Sequence, residues 1–124
     1  ENIFLYYEEH DLYHRCLKLG LDIYLIDDAK FKHYGTSSTD SNYNHEIYLN
    51  RNWHYCWSKF YYFKKNYSSL RAYKETIPDF IKSLLKLSIF FFLNERKKII
   101  YLSALSGLIN SYLNNRSFKR PIIS

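Results

Sequence analysis

The pattern of apolar and polar positions divides the chain into helical stretches and one short β-type stretch. Over residues 8–19, Leu12, Cys16 and Leu19 fall at i, i+4 and i+7, which predicts a helix with one apolar face. Glu8, Glu9 and Asp11 crowd its first turn, where the helix dipole favours acids, and Gly20 is placed to cap its end. Before it, residues 3–7 form a short apolar run: a strand end, or a loop entering the helix. Residues 22–26 read as a β-type run, Asp27-Asp28 as a turn. Residues 29–34 alternate, with Phe31 and His33 on one side and Lys30, Lys32 and Tyr34 on the other. A short strand pair near residues 22–34 is therefore expected, then a polar loop over 35–44. The chain becomes helical again over 45–66, a stretch dense in aromatics. A further helix is expected from Pro78 to about residue 93, and a last one over about 99–113, separated by a polar break at 94–98.

Composition supports a mainly helical chain. Aromatic residues make up 20%, with only three Gly and two Pro, which excludes disorder and a loop-rich sandwich. Cys16 and Cys56 are too few for a disulfide framework and read as reduced, buried thiols in a cytosolic protein. The chain opens without an initiator Met or a signal peptide, so a trimmed start or a piece of a longer protein is expected.

The net charge of +6 is unevenly spread. Residues 1–62 carry six Lys/Arg against nine Asp/Glu, and residues 63–124 carry twelve against three. A basic rear half can meet anionic lipid, nucleic acid or a phosphorylated substrate. The apolar stretch 84–93 is shorter than the roughly 20 residues that span a bilayer. Lys82, Lys86, Arg96, Lys97 and Lys98 around it fit a helix lying on an anionic membrane surface, and equally a core helix with solvated lysines.

The acidic turn carries the candidate chemistry. A carboxylate at the mouth of a helix can act as a general base on a substrate hydroxyl. Asp11 and Arg15 are i, i+4 and can pair, which leaves Glu8 or Glu9 to face a substrate. The plainer reading is an acidic turn that only complements the dipole. His10 and His14 share a face but lack a third ligand at metal spacing and read as exposed helix histidines. Trp53, Tyr55, Trp57 and Phe60 among lysines read as a packed helix rather than a nucleic-acid platform. No P-loop, nucleophile elbow or Rossmann glycine fingerprint is present.

Several of these features occur in an ordered series. Residues 4–15 present an apolar-aromatic stretch, the acidic pair Glu8-Glu9, then Leu12 and Arg15. Gly20 and Ile23 follow, then Ala29, His33 and Gly35 in an A-x-x-x-H-x-G pattern, with Ser37 and Ser38 after it. Arg51-Asn52 and Lys59 come later. Over about residues 3–60 this series resembles the acceptor side of family 2 glycosyltransferases, and its later part resembles their rhamnosyltransferase-like members.

The resemblance implies an α/β parent fold of the GT-A type, of which residues 1–66 would be the acceptor-side C-terminal part and residues 67–124 a basic helical extension. It implies inverting transfer from a nucleotide-sugar donor to a hydroxyl of a glycan or lipid-linked acceptor. By position in the motif Glu9 would be the base, although the family more often has Asp there. Glu8 remains an alternative, and Asp11 completes the acidic set. Arg15 would orient that turn or neutralise phosphate charge. His33 would approach the diphosphate or its divalent metal, Mg or Mn, and Ser37 and Ser38 would line a loop over that site. The family's metal-binding D-x-D belongs upstream of this segment, so the 124 residues alone are expected to be inactive. A cytoplasmic protein is expected, with its basic half suited to contact at the inner face of the cell membrane, and no nucleic-acid partner. The alternative is a non-enzymatic basic module that binds a membrane surface or a protein partner.

Overall fold

The computed structural model describes residues 2–32 and 44–119. These contain four helices: α1 (Glu8–Lys18), α2 (Asn44–Asn66), α3 (Ser69–Phe90) and α4 (Glu95–Tyr112). Among the described residues there is no strand. The strand pair expected near 22–34 is thus corrected over residues 22–32, which are irregular; residues 33 and 34 lie outside the described residues. The physical reason is the lack of a surface to pair on. Tyr24, Leu25 and Phe31 are almost wholly exposed, and an isolated two-stranded ribbon is marginal in water.

Helices α2, α3 and α4 form an up–down–up unit. The pairing of α2 with α4 is parallel and in constant register. Ser103 Oγ donates to the Leu49 carbonyl (2.8 Å) and Ser111 Oγ donates to the Trp57 carbonyl (2.9 Å), each across 54 residues of sequence. Gly107 sits midway between those serines against the Trp53 backbone, where a Cβ would collide with the Trp53 carbonyl oxygen. Small residues at i, i+4 and i+8 thus bring the two backbones close enough for side chains to bond across. Trp53, Trp57 and Phe60 are buried along the same helix. Half of the aromatic side chains of α2, Trp53, Trp57, Phe60 and Tyr62, are therefore core, whereas Tyr48 and Tyr55 are exposed.

α3 runs back between them. Phe60 meets Tyr73 and Tyr112 edge-on, with centroids 5.0 and 4.7 Å apart. Tyr112 Oη donates to Thr76 Oγ1 (3.0 Å), which donates in turn to the Ala72 carbonyl (2.8 Å). Lys59 on α2 pairs with Asp79 at 2.6 Å. Burial opposes the Lys59 charge, but the Asp79 carboxylate outweighs it and raises the ammonium's pKa.

Two helix starts differ from expectation. α3 begins at Ser69, well before Pro78, because Ser68 caps it by accepting from the Arg71 backbone N–H (3.1 Å). Pro78 stands mid-helix on the exposed side, where solvent can satisfy the Lys74 carbonyl that loses its partner. α4 begins at Glu95, within the expected break, because Asn94 accepts from Lys97 N (2.9 Å) and Glu95 pairs with Lys98 (2.6 Å). Asn94→Ala should cost about 1 kcal/mol, read as a small fall in the denaturation midpoint with an unchanged slope.

The tail after α4 folds over α2. His54, fully buried, has Nε2 2.7 Å from the Lys119 carbonyl and Nδ1 3.1 Å from Ser117 Oγ. A carbonyl only accepts, so Nε2 carries a proton. Trp57 Nε1 donates to the Asn115 carbonyl at 3.1 Å.

Candidate functional site

Residues 2–7 lead into α1 across the face of α2. Ile3 is buried, and Ser58 Oγ donates to the Leu5 carbonyl at 2.8 Å. Tyr6 and Tyr7 follow in the left-handed region, with φ of 64° and 65°. Two successive non-glycine residues there cost about 1–2 kcal/mol each. Such strain persists only where the surroundings hold it. Here the holding contacts are aromatic and polar. The Tyr6 ring stands edge-on to Tyr55 (5.7 Å), and Tyr6 Oη accepts from Arg51 Nε (2.9 Å). The Tyr7 ring packs among Tyr55, Tyr62 and His10. Burial, and then the neighbouring Tyr55 hydroxyl, push the Tyr7 phenol well above its ordinary pKa.

This turn sets Glu8 and Glu9 on a cleft of about 450 Å³ whose other walls include Tyr6, Tyr7, Arg51 and Tyr55. A neighbouring cleft of about 360 Å³ shares Tyr6, Arg51 and Tyr55 and extends to Tyr48 and Asn52. Glu8 is half-buried, and its Oε2 is shielded from solvent with no hydrogen-bond partner among the described residues. A shielded, unbonded carboxylate oxygen costs free energy unless something donates to it. Glu9 is exposed on the rim. The cleft thus combines two carboxylates, one guanidinium and several ring faces.

Asp11 and Arg15 go elsewhere. Asp11 is the buried residue of α1, 4% exposed. It accepts from Lys65 Nζ (2.7 Å) and Asn66 Nδ2 (3.0 Å) at the end of α2, and pairs with Arg15 Nε at 3.4 Å. Burial alone would raise its pKa. The hydrogen bonds from Lys65 and Asn66 and the charges of Lys65 and Arg15 outweigh that and hold it below the ordinary carboxylate value. The expected Asp11–Arg15 pair is therefore present, and it lines a different cleft from the one holding Glu8 and Glu9. The face expected to be apolar on α1 is turned outward: Leu12 and Leu19 are exposed and Cys16 is half-buried. Cys56 is buried, and that burial, followed by the Asp79 charge, pushes its thiol up to about 12, so it is no thiolate nucleophile at neutral pH.

His33, Ser37 and Ser38 lie outside the described residues. Among the described residues, no three His, Cys, Asp or Glu side chains converge to hold a metal ion. His14 Nδ1 is instead 2.8 Å from Tyr62 Oη, and His10 packs on Tyr7. The residues described do not by themselves make a metal site. No family model, curated protein or solved structure matches the chain.

The cleft also recruits residues that did not stand out as site candidates. Arg51 belongs to the R-N pair, Tyr6 to the apolar-aromatic stretch before the acidic pair, and Tyr55 to the aromatic set read as a packed helix. Their role depends on the left-handed turn at Tyr6 and Tyr7, which no local sequence preference announces.

Proposed function

We propose that the chain supplies the acceptor side of an inverting glycosyltransferase of family 2, with Glu9 as the general base. The observation that carries this reading is the cleft that joins Glu8 and Glu9 to Arg51, Tyr6 and Tyr55. A sugar presents apolar C–H faces that stack on aromatic rings, and hydroxyls that carboxylates and guanidinium groups can bond. Glu9, exposed on the rim, takes the proton of the acceptor hydroxyl as that oxygen attacks the anomeric carbon of the donor. The bond from that carbon to the nucleotide diphosphate breaks with inversion. Glu8, whose shielded Oε2 has no hydrogen-bond partner among the described residues, binds a second acceptor hydroxyl, and Arg51 orients the pair. The donor nucleotide and its divalent cation, Mg or Mn, would be held by a GT-A half outside these 124 residues, together with His33. Work on lipid-linked or surface glycans at the cytoplasmic face of a membrane follows from the same reading.

The test joins these residues to the nucleotide-binding half in one polypeptide. Glu9→Gln should lower the transfer rate by about 100-fold or more, the usual weight of a general base, while nucleotide affinity measured by calorimetry is unchanged. Full activity in that variant, with Glu8→Gln inactive, would move the base to Glu8. Full activity in both would end the assignment.

A further inference from the structure

The hairpin formed by α3 and α4 ends in an apolar tip. Phe92 is 92% exposed and Leu93 74%, and Phe91 beside them is 48% exposed. On α3, Ile81, Leu85 and Ile89 are half or more exposed and fall at i, i+4 and i+8, forming one ridge that runs toward this tip. A contiguous exposed apolar ridge ending in a protruding aromatic is costly in water and marks an interaction surface.

Cations surround the tip. Arg96, Lys97 and Lys98 follow it after Asn94 and Glu95. Lys97 Nζ lies 4.5 Å from the Phe90 ring centroid and Lys98 Nζ 5.3 Å from that of Phe91. Lys86 Nζ lies 5.6 Å from the ring of Tyr101, which itself stacks on Phe90 at 6.0 Å. The one acid beside them, Glu95, is paired with Lys98. The ammonium groups are therefore held at the level of the aromatic rings, just behind the exposed Phe92 and Leu93. A lipid headgroup layer over hydrocarbon has the matching order, with anionic charge outside and apolar depth beneath. No helix of the described residues is long and apolar enough to cross a membrane, so contact would be with the surface.

We infer that the α3–α4 tip and the outer ridge of α3 dock on an anionic lipid surface, with Phe92 and Leu93 entering the acyl boundary and Lys86, Arg96, Lys97 and Lys98 meeting the headgroups. A second copy of the chain is the weaker occupant, because pairing tip to tip would set the two basic clusters against each other. This inference stands apart from the transferase reading, since it uses neither the acidic turn nor its cleft.

Co-sedimentation with vesicles tests it. The chain should bind phosphatidylcholine vesicles containing phosphatidylglycerol, and bind pure phosphatidylcholine at least about tenfold more weakly. Added salt should release it. The double variants F92S/L93S and R96E/K97E should each lose about tenfold or more in partitioning, with thermal melts within a few degrees of the parent. Binding that ignores lipid charge, or survives both pairs of substitutions, would overturn the inference. So would a parent chain that elutes as a dimer and becomes monomeric on F92S/L93S, which would assign the face to a second copy.

Discussion

Replacing Gly107 with Ala is expected to lower the free energy of unfolding by about 3–5 kcal/mol, and the reason is purely steric. The added Cβ would overlap the Trp53 carbonyl oxygen and press on the Trp53 carbonyl carbon and Cys56 Cβ, at 3.2 and 3.3 Å. Two of these three atoms are backbone, and Trp53 is fully buried, so nothing nearby can swing aside. The helices must part. Parting them stretches the Ser103–Leu49 and Ser111–Trp57 hydrogen bonds on either side, which leaves two buried serine hydroxyls short of acceptors. Each such loss costs about 1–3 kcal/mol. Alanine's better helix propensity returns only about 1 kcal/mol. Against a typical total of about 5–15 kcal/mol, the variant should be near the edge of folding. Urea denaturation followed by circular dichroism measures it, with Ser88→Ala on the exposed side of α3 as a near-neutral control. An unchanged midpoint for Gly107→Ala would mean that α2 and α4 do not approach at this residue.

That contact also shows what a sequence can and cannot disclose. The spacing of Ser103, Gly107 and Ser111 is a readable sign of a close helix pair, but it does not name the partner or its direction. The partner is 54 residues away and parallel, which needs all of α3 as the return path. The helices themselves were legible from periodicity, with α1 and α2 ending within a residue or so of expectation. Caps at Ser68 and Asn94 set these two starts earlier than Pro78 and the charged run after Asn94 suggested, because each satisfies an orphan backbone N–H of a first turn, a contribution of about 1 kcal/mol that helix-compatible residues after it extend. The strand pair failed for the opposite reason: alternation is only half of a strand, and the other half is a neighbour to pair with. At the candidate site, Glu8 and Glu9 were legible as adjacent carboxylates at a helix start. Arg51 and Tyr55 as their neighbours were not, because they arrive through the strained turn at Tyr6 and Tyr7.

The orientation of α1 was the least legible feature, and it leads to a pH-dependent prediction. Among the described residues, α2 is the one other helix that α1 contacts. Its outward side carries Leu12, while its inward side carries Asp11, whose balancing donors Lys65 and Asn66 lie 54 and 55 residues on. A charged residue on the buried face contradicts any hydrophobic reading of the helix, yet the three donors around it make the burial tolerable. Asp11→Ala should cost about 3 kcal/mol, as several charge-assisted hydrogen bonds go at once. The cost stays below that of a fully interior pair because Lys65 and Arg15 are 40% and 52% exposed and solvent takes over part of their charge. The sign with pH follows from the depressed pKa. Folding favours the ionised Asp11, so its contribution is present above the ordinary carboxylate range and lost as pH falls through the lower folded value. The gap between parent and Asp11→Ala, measured by urea denaturation, should therefore be widest at neutral pH and shrink in acid. Hydrogen exchange should show the loss first in α1, whose undocking frees Glu8 and Glu9 from Arg51 and Tyr55 before the α2–α4 unit opens. A gap that stays constant from neutral to acid pH would mean that the Asp11 charge does not hold α1 in place, and the acidic turn would then owe its position to the packing of Tyr6 and Tyr7, the Arg51–Tyr6 and His14–Tyr62 contacts and the Leu5–Ser58 bond.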